Sequence, residues 1–400
     1  MVWLLLNTEL QLLKSPMKTI LPLLIFISSI FPEAAFGQAL DYKGDNFELS
    51  SQILGEQRTG SIFLPDSVKD PLPVLYVLDG EWNHELASGI VGHFIRWGRI
   101  PDMAVVSLNN INRTKDFTPT EHDQRYPGSG GAKQFLEFIE EELIPHMEKE
   151  YNLSNQRILF GHSFGGLFSL YTLKSKPTLF DGYIAVSPSV WWKDEYMYGS
   201  YSFNDLDSKP FVYTTAGTND RTNMQAIEQY INFLNESGHA EQLELYSDIH
   251  EGENHFTNVS ITLHEGLKKL FPVEQFERAL ISAWTKGGKD EIHSVYEQNA
   301  QEYGFRFRLP EEAIRTYAYG LHARDGKTQE AIDMLSWLGS VYDESYQVFY
   351  FLGAIAKEDG RKELSIFNYR KALEVGNMPP RMRTVIERNL NEVSESQSEL

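Results

Sequence analysis

The stretch "RILFGHSFGGLFSLYTL", residues 157–173, limits the possible folds more than any other part of the chain. A short apolar run enters it, a glycine-rich turn holds one serine, and a helix-like pattern leaves it. An apolar run ending in glycine reads as a buried strand, and a helix starting straight after it needs a very tight turn. Gly161-His162-Ser163-Phe164-Gly165 fits G-x-S-x-G in the strand–turn–helix context that a nucleophile elbow requires. Serine then takes strained backbone angles, and side chains two positions either side collide with neighbouring backbone, so glycine stands there. The hydroxyl projects beyond the sheet edge, and the N–H of Phe164 points to where an oxyanion would form. Gly166 lets the helix pack closely on the sheet. Ser163 is the candidate nucleophile.

The surrounding chain fits the sheet that such an elbow needs. Short apolar runs lie at 73–80, 102–109, 156–161, 182–188, 210–218 and 242–249, with helical patterns between them. Runs that are apolar throughout suit strands buried on both faces, and their alternation with helices predicts a mostly parallel α/β sheet. There are no cysteines, so disulfides, thiolate metal sites and a cysteine nucleophile are excluded. The net charge of -20 argues against a nucleic-acid partner, which needs basic surface.

A serine hydroxyl needs a base, and the base needs an orienting carboxylate, in the chain order serine, acid, histidine. His255, in "HEGENHFTN", sits in a polar loop between the last predicted strand and a helix, where a base can hang over the sheet. His250 is the runner-up. Asp220 follows the preceding strand in "FVYTTAGTNDRTN"; its alternative role is capping the next helix. A second oxyanion donor is expected from the loop in "VLYVLDGEWNHE", through the main-chain N–H of Glu81 or Trp82. Trp82, Arg113, Trp191 and Trp192 are candidate substrate contacts. Arg113 has a second reading, an ion pair with Asp116 that holds its own loop. Tyr196 and Tyr198 extend the aromatic run at 187–198.

Several stretches together resemble one family. "YVLDGEW", "NRTKDFTP", "RILFGHSFGGLFSLY", "DGYIAVSPSVWW", "AGTNDRTNM" and "GENHFT" resemble the esterase D-like, siderophore esterase-like branch of the α/β hydrolases. The resemblance covers roughly residues 45–272 and implies an α/β-hydrolase fold, ester hydrolysis and no cofactor or metal. It carries the family's nucleophile to Ser163, its base to His255 and its acid to Asp220.

Both ends of the chain differ from this core. Residues 1–37 read as a signal peptide region with its true start at Met17: one lysine, an apolar stretch from Ile20 to Phe31, then small residues. That stretch falls short of the ~20 residues of a membrane span. The expected protein is therefore exported, periplasmic or secreted, and not integral to the membrane after cleavage. Residues 40–272 form the expected esterase domain. After Phe271 strand signals vanish. Asp325-Gly326-Lys327 matches Asp359-Gly360-Arg361 at an offset of 34, which predicts tetratricopeptide-like helical repeats over 273–395 and a polar tail at 396–400. Such repeats offer a surface for a protein partner. The leading expectation is an exported serine esterase acting on a small-molecule ester. The alternatives are an acyltransferase on the same fold and an inert scaffold protein.

Overall fold

The computed structural model describes residues 44–395 apart from 66–70, 123, 194–195, 200, 204–205, 207, 272–275, 304–308 and 376–377. The expected leader at 1–37 and the tail at 396–400 lie outside the described residues.

Among the described residues eight strands form one sheet: β1 (Asp45–Ser51), β2 (Glu56–Phe63), β3 (Leu72–Leu78), β4 (Ala104–Leu108), β5 (Leu153–His162), β6 (Gly182–Val186), β7 (Phe211–Gly217) and β8 (Glu244–His250). Their order is β1-β2-β4-β3-β5-β6-β7-β8. The pairs β1–β2 and β2–β4 are antiparallel and every other pair is parallel. The six predicted apolar runs become β3 to β8. The β1–β2 hairpin has no such run, because β1 at the sheet edge alternates exposed and buried residues.

Strands β3, β4, β6 and β7 are buried at every position. Successive side chains point to opposite faces, so both faces must be covered. Val74, Tyr76, Leu78, Val106, Leu159 and Tyr183 join one core with Phe135, Phe138, Leu167, Phe168 and Tyr230 from helices on that face. On the other face lie the helices Gly80–Arg96 and Asn258–Leu270. There Gly266 lies so close to Tyr213 and Ile184 that a Cβ would come within 2.9 Å of the tyrosine ring. Each fully buried Val, Leu or Ile contributes about 1.5–3 kcal/mol, so the sheet is a rigid platform. The loops at the carboxyl ends of β3, β5, β6, β7 and β8 form one rim, the usual place for a site in an open α/β sheet.

The chain divides into compact units at Ala313/Ile314. The helix Phe276–Tyr303 therefore belongs with the sheet. Among its described residues the second unit is all helical, with Thr328–Val341, Tyr346–Glu358, Lys362–Glu374 and Pro380–Glu395 after the end of Glu311–Ala323. The helices beginning at Thr328 and Lys362 are 34 residues apart (362 − 328) and follow glycines with matching left-handed φ, 66° at Gly326 and 75° at Gly360. Ala331 and Ser365 are both fully buried at equivalent positions. No helix among the described residues is long and apolar enough to cross a membrane.

Candidate active site

Three non-glycine residues have positive φ among the described residues: Asp79, Ser163 and Ser187. They directly follow β3, β5 and β6, so the backbone strain is concentrated on one rim of the sheet. Left-handed angles in non-glycine residues cost about 1–3 kcal/mol each and persist where the surroundings hold them.

Ser163 has φ 60° and ψ −115° and is the last residue before the helix Phe164–Ser175. Its N–H donates to the Val186 carbonyl at 2.9 Å, and its own carbonyl accepts from Leu167 and Ser189. A Cβ on Gly161 would lie 2.2 Å from the Gly165 carbonyl oxygen. On Gly166 it would press against Pro188 and the Val186 carbonyl at 3.0–3.1 Å. The glycines are thus explained by close approach of helix to strand. Among the described residues the N–H of Phe164 has no partner, as expected for the first residue of a helix.

His255 and Asp220 come together across two loops. His255 Nδ1–H donates to Asp220 Oδ2 at 2.7 Å. That bond fixes the tautomer and leaves Nε2 as a proton acceptor. Thr218 and Asn219, after β7, donate backbone N–H bonds to the carbonyls of His250, the last residue of β8, and Glu253, just beyond it. These bonds tie the acid's loop to the base's loop. Asn254 Oδ1 accepts from the N–H groups of Phe256 and Thr257, a tight turn that presents His255. Asp220 precedes the helix Arg221–Glu236, yet its side chain makes no cap bond and turns to His255 instead. Burial works to raise its pKa, but the bonds from His255 and Asn223 and the charge of His255 together outweigh burial and hold the carboxyl below its usual range.

His162, beside the serine, is buried. Its ring lies 4.5 Å from that of His255, and its Nε2–H donates to the His255 carbonyl at 2.7 Å. Burial first, then the neighbouring His255, lowers its pKa to about 4, so it is neutral at ordinary pH. His250 faces elsewhere: its nitrogens meet Tyr213 Oη and Asn258 Oδ1.

The second oxyanion loop separates its two candidates. The N–H of Trp82 already donates to the Asp79 carbonyl at 3.0 Å, within the first turn of the helix Gly80–Arg96. The N–H of Glu81 has no partner among the described residues. The predicted pairing of Arg113 with Asp116 is corrected. Asp116 points inward from the helix Arg113–Phe117 to the buried Arg58 at 2.8 Å. Arg113 instead grips Asp79 with two bonds, Nε to Oδ1 at 2.7 Å and Nη2 to Oδ2 at 3.1 Å, and also donates to the His162 carbonyl at 2.9 Å. It ties the loop after β3 to the turn at Ser163. Burial raises the pKa of Asp79 more than Arg113 and Asn110 lower it.

The aromatic candidates differ. Trp82 is 66% exposed, with Arg113 over its ring. Trp191 is half-buried and packs near Phe164 and Tyr126, with the exposed Arg125 above it. Trp192 is fully buried and donates its indole N–H to Thr120 Oγ1, so it has no surface for a substrate. Tyr196 and Tyr198 pack against Tyr171, Tyr230 and Phe233. Sequence reasoning missed Phe256, which is 76% exposed beside His255. It also missed His162 and Asn223; only adjacency to the elbow could have pointed to His162.

The sheet order and the strained elbow make this molecule an α/β hydrolase. The chain belongs to the family described as "Putative esterase", whose pattern matches residues 51–316. It is 35% identical over 170 residues to the ferri-bacillibactin esterase BesA of Bacillus subtilis, covering 36% of this chain and 57% of that protein. It is 34% identical over 140 residues to the siderophore triacetylfusarinine C esterase of Aspergillus fumigatus, covering 31% of this chain and 46% of that protein. The chain thus spans about half the length of these two relatives. An IroE-like serine hydrolase from Shewanella oneidensis has a similar fold, with a TM-score of 0.55 at 22% identity, over 72% of this chain and 98% of its own.

Proposed function

We propose that this protein is an exported serine esterase with Ser163 as nucleophile, His255 as base and Asp220 as the acid that orients it. The observation that carries the reading is the His255–Asp220 bond of 2.7 Å, with the His255 ring 4.5 Å from that of His162, which directly precedes a serine held at φ 60°. In the proposed reaction His255 Nε2 takes the proton as Ser163 Oγ bonds to the ester carbonyl carbon. The N–H groups of Phe164 and Glu81 stabilise the oxyanion. The carbon–oxygen bond to the alcohol breaks, and the alkoxide leaves with the proton from His255. Water then attacks the acyl-enzyme, giving its proton to His255, and the released serine recovers it.

The substrate class we propose is a siderophore ester, in line with the two relatives. The rim suits a bulky, aromatic, anionic ester: Trp82 and Phe256 offer exposed rings, and Arg125 lies exposed over Tyr126 and Trp191. Flat rings and a guanidinium together recognise such groups by stacking and charge. The helical unit is proposed to be tetratricopeptide-like and to engage a protein partner. A hydrolysis screen tests the substrate: siderophore lactones, feruloyl esters, acetylated sugars and short acyl esters, with Ser163→Ala as blank. Siderophore esters should give the highest kcat/KM; a preference for acetylated sugars would overturn the substrate class.

A further inference from the structure

Asn223 lies in the first turn of the helix Arg221–Glu236 and is buried. Its Nδ2 donates to both oxygens of Asp220, at 3.0 and 3.1 Å, and sits 3.2 Å from His255 Nδ1. Its Oδ1 accepts the indole N–H of Trp191 at 2.9 Å. An amide has two ends that differ in chemistry and little in shape, so something must choose between its two orientations. Here two groups choose together. The indole nitrogen can only donate, so it demands the amide oxygen, and the ionised carboxylate can only accept, so it demands the amide nitrogen. A flipped amide would set oxygen against carboxylate and N–H against N–H.

We propose, on the basis of the catalytic reading above, that Asn223 is a positioning residue for Asp220 and that Trp191 sets its orientation. The chain Trp191–Asn223–Asp220–His255 then links an aromatic wall of the site to the base. Trp191 also packs near Phe164, whose N–H is a proposed oxyanion donor. The ordinary alternative is that Asn223 satisfies a buried corner of the helix and Trp191 only packs. The two differ in which kinetic constant moves. A positioning pair acts on turnover and leaves KM for a small ester unchanged, and its two members act along one path.

The test uses the full chain and 4-nitrophenyl acetate, with melting temperature as a check of folding. Asn223→Leu keeps the volume and removes the amide, and kcat should fall about tenfold with KM unchanged, the scale of a hydrogen bond to a charged group. Trp191→Phe keeps a ring and removes the N–H, and kcat should fall about threefold, the scale of a weaker neutral bond. The double variant should be no slower than Asn223→Leu, because the effect of Trp191 passes through Asn223. Multiplied losses in the double variant would overturn the link. Should Asn223→Leu not fold, Trp191→Phe in an Asp220→Asn background decides: a further loss there overturns the proposal, and no further loss supports it. Asp220→Asn itself separates the two readings. If it is impaired while Asn223→Leu matches wild type, this proposal fails and the triad stands. If Asp220→Asn matches wild type, the triad reading fails first.

Discussion

At the scale of single residues, the proposed chemistry rests on a few side chains, and each has a substitution that checks its role. Ser163→Ala and His255→Ala should each abolish ester hydrolysis, and the double variant should be little worse than either, because members of one unit are not additive. Asp220→Asn should retain part of the activity, since nucleophile and oxyanion donors remain. Steady-state kinetics on a small ester would reveal full activity in His255→Ala and so move the base elsewhere. His162 gives a stability prediction with a definite sign. Its folded pKa of about 4 lies below its ordinary 6.5, so between those values the unfolded chain binds more protons. Stability is then complete above pH 6.5 and declines as pH falls toward 4, by up to about 3 kcal/mol from this residue. Urea melts at pH 7 and pH 4.5 should show that slope shrink in His162→Gln; an unchanged slope would contradict the assignment. Ser163 and its glycines were legible in the sequence because the turn imposes a spacing. Asn223 was not, since a polar residue near a helix start has many uses and only the folded loops bring it to a carboxylate.

At the scale of elements, the elbow is a collision avoided. With the Gly161 Cβ position 2.2 Å from the Gly165 carbonyl oxygen, Gly161→Ala must push the helix Phe164–Ser175 away from β5. The expected cost is about 1–3 kcal/mol for overpacking, together with lost turnover because Ser163 and the Phe164 N–H move with the helix. Thermal melts and kinetics on one sample check this; wild-type values in both would remove the steric account of the glycine. Strands β3 to β8 were legible because each is apolar on both faces. The β1–β2 hairpin was not, because polar residues alternate through it and its turn is held from a distant helix. Glu142, in the π-helical turn Ile139–Leu143, accepts from the Gln52 and Ile53 N–H groups at 2.8 and 3.2 Å. The Arg113 partner was misread for a related reason. Asp116 is near in sequence, but one helical turn points it into the core, whereas Asp79 arrives from another strand.

At the scale of the whole molecule, the last strand ends at His250 and the helix Asn258–Leu270 follows it, but the compact unit runs on past Phe271 to Ala313. The helix Phe276–Tyr303 goes with the sheet, and the family pattern reaches 316. Periodicity alone does not divide one helical stretch from the next; contacts do. The 34-residue offset survives as matching helix starts and matching left-handed glycines, which is why it was legible. Since Ser163, Asp220 and His255 all precede Ala313, a chain ending there should keep hydrolysis of a small soluble ester. Loss of that activity in a folded truncated chain would place part of the chemistry in the helical unit. The central claim is that Ser163 is an activated nucleophile. Fluorophosphonate labelling followed by peptide mass mapping tests it most directly. One adduct is expected, on the peptide containing Ser163, absent in Ser163→Ala and strongly slowed in His255→Ala. Labelling at another serine, or ester hydrolysis that persists in Ser163→Ala, would contradict it.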